Sequence, residues 1–252
     1  MSRIVEIRGM RLGEGAPKIC VPLVGRTKEE LREEAELLRE IDLDLVEWRV
    51  DHFEAVGSVE DVLAELKELR GLLGETPLLF TFRSAREGGA RELAADDYIR
   101  LNRAAAASGQ VDAIDIELFS GDDAVRELTA EARRSGVATF VSNHDFDKTP
   151  PQEEMESRLR RARELGGDVP KIAVMPRDPG DVLSLLAATY RVSSEGAGPV
   201  ITMSMAGTGA VSRVAGGAFG SALTFGAAKQ ASAPGQLAAP QLRGILNALY
   251  GG

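Results

Sequence analysis

The 252-residue sequence predicts an α/β fold, a (β/α)8 TIM barrel with a short N-terminal β-hairpin, and three observations carry that prediction. Short apolar runs recur at a spacing of very roughly 25–35 residues, as βα units do. Amphipathic helical patterns fill the gaps, with no linker rich in Pro, Gly or Ser. Charged residues gather at the C-terminal ends of the runs, where a barrel carries its chemistry. A doubly wound sheet shares the alternation but needs fewer strands and a Gly-rich first turn. Leu23-Val24-Gly25-Arg26 lacks that fingerprint.

In chain order, residues 3–8 and 10–12 alternate in polarity and meet at Gly9, which reads as a hairpin. Strands are expected at 18–23, 44–50, 77–82, 112–117, 137–142, 169–175, 199–204 and 218–224. Thr27 with Glu30, and Ser58 with Asp61, have capping spacing ahead of the stripes Leu31, Ala35, Leu38 and Val62, Leu66, Leu69. Further helices are expected at 95–107, 121–135, 152–165, 179–192 and 239–249, with a short one near 210–215.

The composition narrows the function. A net charge of −9 with no basic stripe argues against nucleic acid and anionic membranes as partners. No apolar run reaches membrane-span length, and the start does not read as a signal peptide. The single cysteine, Cys20, lies in an apolar run and reads as a small buried hydrophobe, so a reducing cytoplasm is the expected setting. No His/Cys/Asp cluster has metal-ligand spacing, and no metal is expected.

The chemistry centres on Val169-Pro170-Lys171-Ile172-Ala173-Val174-Met175, a strand whose lysine shares a face with Val169, Ala173 and Met175. An inward lysine loses hydration, which favours its neutral, nucleophilic amine and a Schiff base. The alternative is a strand-end lysine with its head in water. Glu47, Arg49 and Asp51 alternate with apolar residues on the second strand. Charges so placed need one another or a ligand, whether in a structural ion network or in a site. Thr81-Phe82-Arg83 ends the third strand, Asp115-Ile116-Glu117 the fourth, and Ser142-Asn143-His144-Asp145-Phe146 the fifth. His144, one of two histidines, is placed to act as a base or as a structural hydrogen bonder. His52 directly follows the acidic strand end and reads as a supporting or solvent-facing residue. Arg213 is either a surface residue or an anion clamp. Gly207-x-Gly209 lacks the third glycine of a dinucleotide site. Together these residues point to Schiff-base chemistry on a small anionic carbonyl compound, by an aldolase or a dehydratase.

Five segments then match a known family. Glu47-Trp48-Arg49-Val50-Asp51, Thr81-Phe82-Arg83-Ser84 with Glu87-Gly88-Gly89, Ser142-Asn143-His144-Asp145-Phe146, Lys171, and Ser232-Ala233-Pro234-Gly235-Gln236 together resemble type I 3-dehydroquinate dehydratase. The likeness runs from about residue 18 to the C-terminus. Thr139-Phe140 and Ala206 depart from the family pattern at packing and turn positions. The resemblance implies one catalytic barrel over 1–252, with residues 1–17 closing its bottom, and a cytoplasmic homodimer. It implies dehydration of 3-dehydroquinate to 3-dehydroshikimate in the shikimate pathway, without metal or coenzyme. Lys171 would form an imine with the ketone, and His144 would serve as base and then acid. Glu87 would orient His144 and sustain its charged form. Arg213 would hold the substrate carboxylate. Glu47, Arg49 and Arg83 would bind ring hydroxyls or order the lysine, and Ser232 and Gln236 would come from a lid. A class I aldolase would share Lys171 without the His144 and Glu87 segments, and a non-catalytic binding relative would not need the nucleophile.

Overall fold

Thr27 and Ser58 each accept a backbone N–H three residues on, from Glu30 and Asp61, both at 3.2 Å, so two helices start where capping chemistry dictates. The computed structural model describes residues 3–228 and 234–251. A hairpin comes first, β1 (Val5–Ile7) and β2 (Met10–Leu12), paired antiparallel around Gly9 at φ 79°. There follow β3 (Lys18–Leu23), α1 (Lys28–Leu38), β4 (Leu45–Arg49), α2 (Val59–Leu73), β5 (Leu78–Thr81), α3 (Ala95–Ala107), β6 (Ala113–Glu117) and α4 (Asp122–Arg134). The second half holds β7 (Ala138–Asp145), α5 (Gln152–Glu164), β8 (Val169–Val174), α6 (Pro179–Ser194), β9 (Ile201–Ser204), α7 (Ala206–Ala215), β10 (Leu223–Ala227), β11 (Leu237–Ala238) and α8 (Ala239–Tyr250).

Strands β3 to β9 pair in parallel in sequence order, and β10 returns to pair with β3, Leu223 opposite Lys18. The seam between β9 and β10 is thin. It is one parallel bridge, Val200 to Ser221, with the Ala222 N–H donating to the Val200 carbonyl at 2.9 Å. The sheet thus curls into the expected barrel. The last barrel strand lies at 223–227 rather than 218–224, because Gly216–Phe219 form a short 3-10 turn and Gly220 takes φ 101°. Apolar content alone could not separate that turn from the strand. Helix α7 begins at Ala206, four residues earlier than its sequence pattern shows.

Alternation sorts the side chains into two packed regions. Outward residues such as Val21, Trp48, Phe80 and Ile116 pack against Leu31, Leu66, Leu69 and Leu128 of the helices. Each such side chain contributes about 1.5–3 kcal/mol by leaving water. Inward residues at the strand starts, including Cys20, Leu45, Leu79, Phe140 and Ile201, form an apolar floor against Val5, Ile7 and Leu12 of the hairpin. Above that floor the inward positions turn polar. A register slip of one residue would send every one of them to the helices.

Candidate active site

Lys171 points inward from β8 with Val169 and Ala173, and is buried. Its Nζ lies 3.4 Å from Asp115 Oδ2, 3.8 Å from Glu47 Oε1 and 4.6 Å from the centre of the Phe225 ring. The two carboxylates and the ring face thus surround that nitrogen on the cavity's inner side. Glu47 is steadied by the Thr81 hydroxyl, which donates to it at 2.9 Å. Asp115 Oδ1 accepts from Ser142 Oγ at 2.6 Å and from Arg83 Nη2 at 2.7 Å. Burial opposes the Asp115 charge, but Arg83, Lys171 and these hydrogen bonds hold its carboxyl below the usual range.

Arg83 connects this cluster to a second one. Its guanidinium also meets Glu117 at 3.0 Å and Glu87 at 3.6 Å, and is itself almost fully buried. A cation facing three acids has little left to offer a ligand, so ordering the lysine and its neighbours is the role this geometry favours. Arg49 is similarly engaged, with Nε and Nη2 each 2.8 Å from Asp51 in a two-pronged pair.

His144, on the inner face of β7, lies in register with Ala173, one inward step above Lys171. Glu87 Oε2 accepts its backbone N–H at 2.9 Å and lies 3.0 Å from Nδ1. Glu87 reaches it from a 3-10 turn, Ala85–Glu87, whose tight return packs the next glycines against the sheet. A Cβ on Gly89 would sit 1.8 Å from the Arg83 carbonyl, so only glycine fits there. Burial, opposed by Arg83, pushes the Glu87 carboxyl up to about 8. Burial followed by the cations Arg83, Lys171 and Arg49 pushes the His144 imidazolium well below its ordinary range. The site as it stands therefore disfavours the charged imidazole that the family resemblance has Glu87 sustaining.

Arg213, from α7, is different. It is buried, its Nη2 donates to the Pro234 carbonyl at 3.0 Å, and Nη1 lies 3.8 Å from Met203 Sδ. Nε has no hydrogen-bond partner, and among the described residues no acid pairs with it. Burial alone brings its pKa down to about 10. A guanidinium held in an apolar wall without an acid is suited to an incoming carboxylate.

A cavity at the C-terminal mouth is lined by Glu47, Arg49, Arg83, Glu87, His144, Lys171, Arg213 and Gln236. The sequence-predicted Ser232 lies outside the described residues. His52 sits half-buried with Nε2 3.7 Å from Asp51 and does not line the cavity. Asp115, Ser142, Thr81 and Glu117 belong to the same charged cluster although the expected site set omits them. Their signal was the alternation with apolar neighbours that singled out Glu47 and Arg49. Among the described residues, no group of three or more His, Cys, Asp or Glu is placed to hold a metal ion. No described helix is long and apolar enough to cross a membrane.

The two departures from the family pattern have local consequences. Phe140 fills the barrel floor, and Thr139 Oγ1 donates to Asp168 at 3.0 Å. Ala206 takes φ 56°, a left-handed conformation costing about 1–2 kcal/mol outside glycine.

The family model described as type I 3-dehydroquinase matches residues 19–252. A 3-dehydroquinate dehydratase of Listeria innocua serovar 6a is 54% identical over 250 residues, covering 99% of this chain and 99% of its own. One of Syntrophotalea carbinolica is 55% identical over 247 residues, covering 98% of each chain. A solved structure of type I 3-dehydroquinate dehydratase from Clostridium difficile, with covalent modified comenic acid, superposes with a TM-score of 0.96. It is 50% identical, and the match covers 99% of this chain and 98% of that one.

Proposed function

Because the chain belongs to the type I 3-dehydroquinase family, we propose that it dehydrates 3-dehydroquinate to 3-dehydroshikimate through an imine on Lys171. The observation that carries this reading is one buried amine, flanked by Asp115 and Glu47, in the same cavity as a Glu87-bonded histidine. A site that stabilises cationic nitrogen also stabilises an iminium. The covalent modified comenic acid of the Clostridium difficile relative accords with covalent chemistry in such a site.

Lys171 Nζ, as the free amine, adds to the substrate ketone, and water leaves to give the iminium. The iminium draws electron density from the adjacent carbon and acidifies its C–H bond. His144 Nε2 takes that proton, with Nδ1–H donating to the Glu87 carboxylate. The electron pair then expels the β-hydroxyl, which leaves as water with the proton returned by His144. A second water hydrolyses the conjugated imine and frees Lys171. Arg213 binds the substrate carboxylate, Glu47 meets a ring hydroxyl while Arg49, paired with Asp51, orders that wall, and Gln236 belongs to a covering segment that excludes water. The whole chain, 1–252, acts as one catalytic unit with residues 1–17 closing its base. The same reading makes it a cytoplasmic homodimer. Leu183 and Tyr190, seven apart on α6, leave apolar surface exposed for a partner.

An ultraviolet assay for the conjugated enone, run beside borohydride trapping and peptide mapping, tests the reading directly. Enone growth with an adduct on Lys171 supports it; neither signal, or cleavage into two products, overturns it.

Two expectations follow from the site. Arg213→Ala raises KM about 10–100-fold, the equivalent of losing a charge-assisted hydrogen bond of about 1.5–3 kcal/mol, with a smaller change in kcat. An unchanged KM would put the carboxylate elsewhere. The second concerns pH. Below about 8 the Glu87 carboxyl is protonated and its O–H donates to Nδ1, so the ring proton sits on Nε2 and the base is blocked. Above it Glu87 ionises and Nε2 is free. The rate constant kcat/KM should therefore rise with pH towards a plateau beyond about 8. In Glu87→Gln that limb should move to lower pH, since the amide keeps an acceptor without titrating. A limb left in place in the variant assigns it to another group.

A further inference from the structure

Asp115 is fully buried, does not line the cavity, and nonetheless carries the acid oxygen nearest to Lys171 Nζ. Its two oxygens have separate duties. Oδ1 is fixed by Ser142 Oγ and Arg83 Nη2, which are themselves joined by an Arg83 Nη1 to Ser142 bond of 3.0 Å. Oδ2 faces the lysine, at 3.4 Å. We infer that Asp115 is a positioning residue for the imine step, an immobile anion that aims Lys171 Nζ at the cavity and then counterbalances the iminium formed there. This inference rests on the imine reading above.

The division of labour with Glu47 supports it. Glu47 lines the cavity, lies farther from Nζ at 3.8 Å, and is steadied by the single hydroxyl of Thr81. It is free to meet substrate; Asp115 is not. Asp115 can act on the reaction only through the lysine.

An anion beside an amine has opposed effects on the two halves of the reaction. It favours a protonated over a free amine, which delays attack, and it stabilises an iminium, which assists elimination. Removing the charge should therefore separate the two. The other charged or titratable groups around the pair are Cys20 from β3, Glu47 and Arg49 from β4, and Arg83 beyond β5. Glu117 belongs to β6 itself and His144 to β7, while Glu87 and Tyr98 lie behind Arg83 and Glu117. Met203 of β9 and Phe225 of β10 complete the surroundings without charge.

Asp115→Asn keeps the shape and an oxygen for Ser142 and Arg83 but deletes the charge. In the full-length protein, the rate of borohydride-trapped adduct formation with 3-dehydroquinate is measured against pH by intact mass. Its midpoint should move about 1–3 pH units to the acid side of wild type, while kcat for enone release at pH 8 falls about 10–100-fold and KM changes less than kcat. A purely structural role would lower both steps together and leave the midpoint in place. Ser142→Ala, which frees the carboxylate without removing it, should slow adduct formation several-fold with the wild-type midpoint. It also decides the matter should Asp115→Asn fail to fold. An unshifted midpoint in a folded Asp115→Asn, or wild-type adduct kinetics in Ser142→Ala, overturns the assignment alone. Absence of any adduct on wild type overturns the imine reading and this inference with it.

Discussion

Lys171→Ala should take up no 3-dehydroquinate-derived mass on borohydride treatment, and its turnover should fall by about 10⁴-fold or more. The size of the effect follows from how little else in the cavity could replace the amine. Among the lining residues the remaining cations are guanidiniums, which do not add to ketones. The substitution also leaves Asp115 and Glu47 without the Lys171 side chain between them. Asp115 keeps Arg83 and Ser142, so the loss of stability should be limited, whereas Glu47 keeps the Thr81 hydroxyl and the more distant charges of Arg49 and Arg83. Thermal denaturation beside the activity assay separates those effects. An adduct still trapped on the variant would falsify the assignment of the nucleophile.

His144→Ala should behave in the opposite way at the first step. Lys171, Asp115 and Glu47 are untouched, so the adduct should still form and be trapped. Enone release should slow by about 10²–10⁴-fold, the range expected when a positioned base is lost. The pairing of results matters more than either alone: one variant loses the covalent intermediate, the other accumulates it. If His144→Ala releases product at a rate near wild type, another group removes the proton, and Glu87 is the first to examine because it lines the same cavity.

Much of this was legible in the chain. Period-two alternation in 169–175 and 45–51 is enough to place Lys171, Glu47 and Arg49 on one inner face, because strand geometry leaves no other option. Capping residues fixed the starts of α1 and α2. What could not be read locally depends on contacts between distant segments. The resemblance allowed Arg83 either to meet substrate hydroxyls or to order the lysine. Only the convergence of Asp115, Glu117 and Glu87 shows where its donors go. The direction of the Glu87 and His144 shifts is likewise set by burial and by cations from other strands, neither of which a neighbouring residue announces. The last barrel strand was misplaced because a glycine-rich 3-10 turn and a strand look alike when both are apolar.

The thin seam has a consequence for how such a chain comes to fold. Neighbouring strands β3 to β9 meet through short stretches of chain, so each βα unit can dock as it emerges during synthesis. Ring closure is another matter. Leu223 must find Lys18 across about two hundred residues, and Ser221 must bridge back to Val200. By loop-closure scaling that long reach costs only about 2 kcal/mol more than joining adjacent strands. Timing is the harder constraint. Until β10 arrives, β3 and β9 present open edges able to pair with another nascent chain. The charged interior, Lys171 included, also faces water and has no sealed cavity around it. For this protein, enclosing the buried Lys171 and losing an aggregation-prone edge are the same late event.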